Sequence, residues 1–236
     1  MQFVVGTSGY SYPAWRKSFY PPKLPVSEML GYYAQHFAGV EINNSFYRLP
    51  QPSVLESWAE QVPRSFRFAL KAPQMITHRK RLNNVRAETA KFLRVAAVLR
   101  KRLGPLLFQL PPNFKKDLPR LQRHLAFLRV NKIKAAVEFR HASWFDDDVF
   151  TCLRAHGCAL CIADADELPQ ANLVSTARWG YLRLRREAYS RKRLMAWIEG
   201  IRAQPWSQAY VFFKHEDTGT GPKLARQFLT LAEAKS

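Results

Sequence analysis

The chain has 236 residues, enough to bury the core of one full domain, and its 47% hydrophobic and 13% aromatic content excludes a disordered polypeptide. With 37 Lys and Arg against 18 Asp and Glu the net charge is +19, which spreads positive potential over the surface. That favours nucleic acid, an acidic membrane surface or anionic metabolites as partners, against the plainer reading that scattered basic residues only solvate the surface.

No apolar run reaches the ~18–20 residues of a membrane span. The N-terminus opens as a strand rather than a signal peptide. Cys152, Cys158 and Cys161 are odd in number and fit free thiols in a reducing cytoplasm. Cys158 and Cys161 have the spacing of a zinc or redox pair. They sit in an apolar strand-like run where positions three apart face opposite sides, and no second ligand pair accompanies them.

In chain order, eight apolar runs are predicted as strands, near 2–6, 38–43, 66–71, 105–110, 134–139, 158–163, 179–184 and 209–214. Between them lie helical patterns. Val26–Phe37 carries Met29, Leu30, Tyr33 and Phe37 on one face, and Val54–Gln61 follows Pro52-Ser53. Ala87–Leu103 is basic, with Phe92, Val95, Ala96 and Leu99 on one face and Gly104-Pro105 as the expected stop. Asp117 is placed to cap Leu118–Leu128, and Asp146-Asp147-Asp148 put negative charge before Val149–His156. Ser190 opens Arg191–Ala203, and Thr220-Gly221-Pro222 opens Lys223–Ala232. The connection from Asp164 to Arg178 shows no clear helix.

Strand alternating with helix implies parallel strands and right-handed crossovers. Eight units in a chain of this length predict an α/β protein with a (β/α)8 TIM-type barrel, one domain over 1–236. A doubly wound open sheet is the alternative.

In such a barrel the site lies at the C-terminal ends of the strands. Polar residues gather there: Glu41 and Asn43, Lys71, Gln109, Glu138 and Arg140, Asp164, Arg183 and Arg185, Lys214 and His215. The strand starts are nearly free of them, Arg67 excepted. The loop after the first strand, from Gly6-Thr7-Ser8-Gly9-Tyr10 to Trp15 and Phe19-Tyr20-Pro21-Pro22, is rich in aromatics. Gly6 and Gly9 either let backbone N–H groups approach an anion, or the aromatic side chains Tyr12, Trp15 and Phe19 close the barrel mouth as an apolar lid.

These motifs, in this order, resemble the YecE-like family, also known as domain of unknown function 72. The resemblance is carried by Gly6-Thr7-Ser8-Gly9-Tyr10, Val40-Glu41-Ile42-Asn43-Asn44-Ser45-Phe46-Tyr47-Arg48, Lys71-Ala72-Pro73 with Thr77-His78, Gln109-Leu110-Pro111-Pro112, Glu138-Phe139-Arg140-His141-x-x-Trp144, and Tyr181-x-Arg183-Leu184. It covers nearly the whole chain and implies a barrel without implying a reaction. Many members carry His-Gly where Arg185-Arg186 stand here. At the last strand others often carry Asn-Asn-Asp, where this chain has Lys214-His215-Glu216. Both departures make this site more basic.

The acids Glu41, Glu138 and Asp164 face an excess of bases, Lys71, Arg140, Arg183, Arg185 and Lys214, with His78, His141 and His215 near the rim. Glu138–Arg140 and Glu41–Lys71 are the expected ion pairs. The first reading is a hydrolase-like enzyme on a phosphate-bearing or nucleic-acid substrate. In it Glu41, Glu138, Lys71 and Asp164 are the catalytic candidates. Thr7, Ser8, Tyr10, Trp15, Asn43, Tyr47, His78, Gln109, Arg140, His141, Trp144, Arg183, Arg185, Lys214 and His215 are the substrate-binding candidates. Lys71 would act electrostatically or, as a weaker alternative, as a Schiff-base nucleophile.

A metal on Glu41, Glu138, Asp164 and His141 would need a tight His/Asp spacing that is missing, so no metal is assigned and no cofactor is specified. The second reading is a non-catalytic nucleic-acid binder using His78-Arg79-Lys80-Arg81, Arg100-Lys101-Arg102 and Arg191-Lys192-Arg193, with Tyr10, Tyr12, Trp15 and Trp144 stacking on bases. The third is a binder or isomerase of a small anionic metabolite. Glu138→Gln is expected to abolish activity with little effect on folding.

Overall fold

Parallel strands buried on both faces close here into a ring. The computed structural model describes residues 1–165, 172–214 and 219–234. Its eight strands are β1 (Gln2–Thr7), β2 (Gly39–Ile42), β3 (Arg67–Lys71), β4 (Leu103–Gln109), β5 (Ala135–Glu138), β6 (Ala159–Asp164), β7 (Trp179–Leu184) and β8 (Gln208–Phe213). All pair in parallel, in the order β1-β8-β7-β6-β5-β4-β3-β2. A bridge between Ser8 and Glu41 joins the two end strands, with Gly9 N–H on Glu41 O at 2.7 Å. The (β/α)8 barrel expected from the sequence is therefore the observed fold.

The β1–β2 seam has an unusual filling. The Tyr33 hydroxyl accepts from Thr7 N–H at 2.7 Å and donates to Gly39 O at 3.2 Å. It stands in for ladder bonds that the short β2 does not supply. The seam leaves no space at Gly6, where a Cβ would lie 1.9 Å from Gly39 O.

Side-chain alternation divides the core in two. The inward set, including Val4, Ala69, Leu107, Ala136, Ala159, Cys161, Trp179, Tyr181, Tyr210 and Phe212, forms a cluster of its own inside the ring. The outward set packs beneath the helices. At the lower end Lys134 Nζ lies over the rings of Trp179 and Tyr210, 4.8 and 4.9 Å from their centroids, and donates to Gln208 Oε1 at 2.7 Å. Cys158 falls outside and Cys161 inside, as the spacing predicts, and all three thiols are free.

The helices are α1 (Met29–Ala34), α2 (Pro52–Glu60), α3 (Arg86–Ala96), α4 (Leu118–Val130), α5 (Asp147–Ala155), α6 (Arg191–Arg202) and α7 (Thr220–Glu233). Asp117 caps α4 by accepting Arg120 N–H at 3.0 Å, and Ser190 caps α6 by accepting Arg193 N–H at 3.2 Å. The aspartates before and within the first turn of α5 hold Lys116, with Asp146 at 2.6 Å and Asp148 at 3.0 Å.

Two boundaries differ from expectation. The helix predicted over Val26–Phe37 is a 3-10 turn followed by the six residues of α1, although Met29, Leu30, Tyr33 and Phe37 are all buried. Gly104-Pro105 does not stop the long basic helix. That helix ends in a 3-10 stretch, Ala97–Arg102, broken by Arg100 at φ 48°, and the glycine and proline lie inside β4. The β3–β4 register slips there, because Pro105 has no N–H to give the ladder. Of the connection from β6 to β7, residues 172–178 contain no helix and 166–171 lie outside the described residues.

Candidate functional site

Glu41, Glu138 and Arg183 share the inward parity of β2, β5 and β7, and the ring brings them together above the aromatic plug. All three are almost wholly buried. Arg183 donates through one terminal nitrogen to Glu41 Oε1 at 2.8 Å and through the other to Glu138 Oε2 at 2.7 Å. Ser8 Oγ and the Tyr181 hydroxyl each donate to Glu41 at 2.7 Å, and Gln109 Nε2 donates to Glu138 at 2.9 Å. Arg140 Nε lies 2.5 Å from Glu138 as an ion pair whose N–H is not aligned on the oxygen. The Glu138–Arg140 pair thus forms as expected. Glu41 does not pair with Lys71: Arg183, whose fork reaches both carboxylates, takes it instead.

Burial pushes both carboxyls up, and the cations overcome it. Arg183, with Ser8 and Tyr181, holds Glu41 below the usual carboxylate range. Arg183, Arg140 and Arg185 together hold Glu138 at about 2. The two acids therefore stay ionised. The Tyr181 hydroxyl is pushed up by burial and by Glu41, so it stays protonated as a donor.

Above this floor opens a cavity of about 810 Å3 lined by Tyr12, Asn43, Asn44, Tyr47, Lys71, His78, Gln109, Leu110, Pro112, Arg140, Arg183, Arg185 and Lys214. Five of these residues are Lys or Arg and none is acidic. Among the described residues, neither the Lys71 ammonium nor the Arg185 guanidinium has a carboxylate partner. Lys71 Nζ lies over the Phe46 ring at 4.0 Å. Its pKa falls to about 8, mainly by burial and next by Arg183. Burial and Arg183 also lower that of Arg185.

His78 sits on a short π-helical turn, Met75–Arg79, that follows β3. Its ring packs edge-on against Phe46 at 4.7 Å, and its Nδ1 is 2.9 Å from Thr77 Oγ1. Burial and Lys71 lower its pKa, favouring the neutral imidazole.

The ring brings Asn43, Tyr47, Lys71, His78, Gln109, Arg140, Arg183, Arg185 and Lys214 to one cavity, with Glu41, Glu138 and Ser8 beneath it. The remaining candidates lie elsewhere. Asp164 has the outward parity of Ile162. It pairs with Arg186 at 2.6 Å and accepts from Trp197 Nε1 at 3.2 Å and Arg193 at 3.4 Å, tying β6 to α6.

Trp144 is buried on Phe139 and donates to Phe114 O at 2.7 Å, and Trp15 is buried among Tyr12, Phe19 and Tyr20. Tyr10 packs on Trp58 and Tyr33, and Thr7 serves the seam. His141 caps a 3-10 turn by accepting Ser143 N–H at 3.1 Å. His215 lies outside the described residues.

The glycine anion nest does not form either, since the Gly9 N–H is taken by Glu41 O. Arg100-Lys101-Arg102 immediately precedes β4 and so lies at the end of the barrel opposite the cavity, where Arg102 donates to Val62 O. Tyr12 and Asn44 were absent from the substrate-binding set, as was Tyr181 beneath the floor. Tyr181 was legible from its shared parity with Arg183. Among the described residues no group of three or more His, Cys, Asp or Glu side chains is placed to hold a metal ion.

The sequence matches the model of the family described as protein of unknown function DUF72 over residues 4–236. It belongs to that family. The likeness to YecE-like proteins read from the motifs is thereby borne out. The UPF0759 protein YecE of Escherichia coli K12 is 34% identical over 142 residues, 60% of this chain and 49% of that protein, so the match spans about half the relative's length. A crystal structure of a DUF72 protein from Thermotoga maritima superposes at a TM-score of 0.82 with 27% identity, covering 99% of this chain and all of that one. A D-psicose 3-epimerase shares only the fold, at a TM-score of 0.51 and 8% identity over 100% of this chain and 97% of that one. No helix among the described residues of this DUF72 member is long and apolar enough to cross a membrane.

Proposed function

We propose that this DUF72 protein is an enzyme whose cavity receives an anionic, phosphate-bearing ligand. One observation carries the reading: among the described residues, five cationic and no acidic side chains line an enclosure of about 810 Å3, a volume typical of small-ligand sites. Its two nearby acids are already neutralised by Arg183 and Arg140. Cations without a carboxylate at the wall of a half-buried cavity are costly to the empty protein and are relieved by an anion. Arg140 and Arg185 present guanidinium groups suited to two-point recognition of a phosphate.

Glu41 and Glu138 lie below the wall, ionised and saturated with donors, which fits a role in fixing Arg183. Of the titratable groups that line the cavity, Lys71 and His78 have lowered pKa values and are the better candidates for proton transfer. Cytoplasmic placement accords with the three free thiols.

Nucleic acid is the larger member of the same ligand class. Tyr47, 74% exposed at the cavity rim, and the basic run that begins at His78 favour it as a second reading. Calorimetric titration with inorganic pyrophosphate and with single-stranded DNA, at ~50 and ~200 mM salt, separates the two. Arg185→Ala is the informative variant because its guanidinium is not part of the buried network. Loss of pyrophosphate affinity by ~10-fold or more in that variant supports a phosphate site. DNA binding that is steeply salt-dependent and damaged by the same change favours the polymer. No binding of either ligand to the unsubstituted protein overturns the reading.

A further inference from the structure

We propose that Lys71 is an amine nucleophile that forms an imine with the carbonyl carbon of an anionic aldehyde or ketone held in the cavity. The inference rests on the anion-binding reading above and adds the reactive group of the ligand.

Three features of the site support it. First, Lys71 ends β3 with inward parity, so its amine faces the cavity wall rather than bulk water. Second, no carboxylate or carbonyl among the described residues engages its nitrogen; the group it meets is the face of Phe46. Both nearby carboxylates are committed to arginines, which leaves the amine without a fixed counter-ion. Third, burial and the positive field of Arg183 and Arg185 bring its pKa to about 8, leaving roughly a tenth of the amine neutral at pH 7. A lysine at its ordinary pKa of about 10.4 would have well under a hundredth neutral.

His78 packs against the same Phe46 ring and lines the same cavity, close enough for the Lys71 charge to lower its pKa. The step balances without a co-reactant. The amine lone pair forms the N–C bond as the C=O π pair moves to oxygen, and a proton passes from nitrogen to that oxygen to give a carbinolamine. The nitrogen lone pair then forms the C=N bond as the C–O bond breaks, and the oxygen takes the second proton that nitrogen gives up and leaves as water. His78 is positioned to carry these protons. Arg140 and Arg185 would hold the ligand's anionic group, fixing the carbonyl against the amine.

Pyridoxal 5′-phosphate tests this, since it joins an aldehyde to a phosphate in one small molecule. The full chain is incubated with it, reduced with borohydride, and mapped by peptide mass spectrometry. Labelling at Lys71 at least ~10-fold faster than at any other lysine, slowed by inorganic phosphate, is the expected result. Lys71→Met should lose that label while the slower background labelling of the other lysines is unchanged.

Labelling spread over surface lysines with no preference for Lys71, while pyrophosphate still binds, overturns the imine and leaves the anion site standing. Absence of both preferential labelling and pyrophosphate binding overturns both. His78→Gln separates its proton-carrying role from packing. Slower labelling that added imidazole restores supports the role, and an unchanged rate, or a slower one that imidazole does not restore, removes His78 from the step.

Discussion

Arg183 spans the barrel interior from Glu41 on β2 to Glu138 on β5, reaching them at 2.8 and 2.7 Å from its two terminal nitrogens. One side chain thereby neutralises two buried acids contributed by strands on either side of it. Replacing it with methionine leaves both carboxylates in a dry enclosure without their shared cation. The expected loss is about 3–5 kcal/mol, the usual scale for breaking a buried ion pair. Urea unfolding of Arg183→Met measures it. A change below ~1 kcal/mol would show that water already reaches the network.

The pH dependence follows from Glu138. Its pKa is depressed from the ordinary carboxylate value to about 2, so it binds its proton more readily when unfolded. Its contribution to stability is therefore complete above the unfolded pKa near ~4.3 and is lost as pH falls from there through about 2. Unfolding free energies measured between those limits should fall with pH in the wild type, by an amount on the order of 3 kcal/mol from this group. In Arg183→Met, where that cation no longer depresses the carboxyl, the fall contributed by Glu138 should be smaller.

Glu138→Gln was expected from the sequence to spare the fold. With Arg183, Arg140 and Gln109 all directed at this carboxylate, the expectation changes. The neutral amide leaves Arg140 without its carboxylate and Arg183 with Glu41 alone, and about 3–5 kcal/mol of stability should go with it. Thermal unfolding followed by circular dichroism decides between the two; an unchanged midpoint would restore the original expectation.

Asp164→Asn should act on the scaffold alone. Its carboxylate joins β6 to α6 through Arg186, Arg193 and Trp197 on the outer face of the strand. A lowered unfolding midpoint with pyrophosphate affinity unchanged within ~2-fold is the expected outcome. A loss of affinity larger than the loss of stability explains would put Asp164 back at the site.

Tyr33→Phe removes the hydroxyl that fills the β1–β2 seam, leaving the buried Thr7 N–H without its acceptor. The cost should be about 1–3 kcal/mol. Hydrogen exchange at the Thr7 and Gly9 amides should quicken more than exchange in β6–β7, which keeps its ladder. Uniform acceleration across the barrel would mean that the seam does not open locally.

Most of the barrel was legible because strands announce themselves by apolar runs, and parity then sorts each strand end into inside and outside. Asp164 is a position that parity alone decides. It lies two residues after Ile162, an outward position, so its own spacing already directed it away from the cavity. Trp144, Trp15 and Tyr10 mislead for a different reason. Aromatic residues in loops near a barrel mouth serve packing as readily as stacking, and composition does not distinguish the two. The choice of Arg183 over Lys71 as the partner of Glu41 was out of reach. The pair is separated by 142 residues, and local pattern says nothing about which of two inward cations arrives first across a ring.

The aromatic cluster below the network, capped by Lys134 over Trp179 and Tyr210, has a consequence for traffic. The barrel axis is blocked at one end, so whatever enters at the mouth leaves by the mouth, and any outgoing and incoming ligand would compete for one doorway. A polymer cannot be threaded through. If the ligand is a nucleic acid, it must present a terminus or an extruded nucleotide to the cationic wall while the rest of the strand stays outside on the rim.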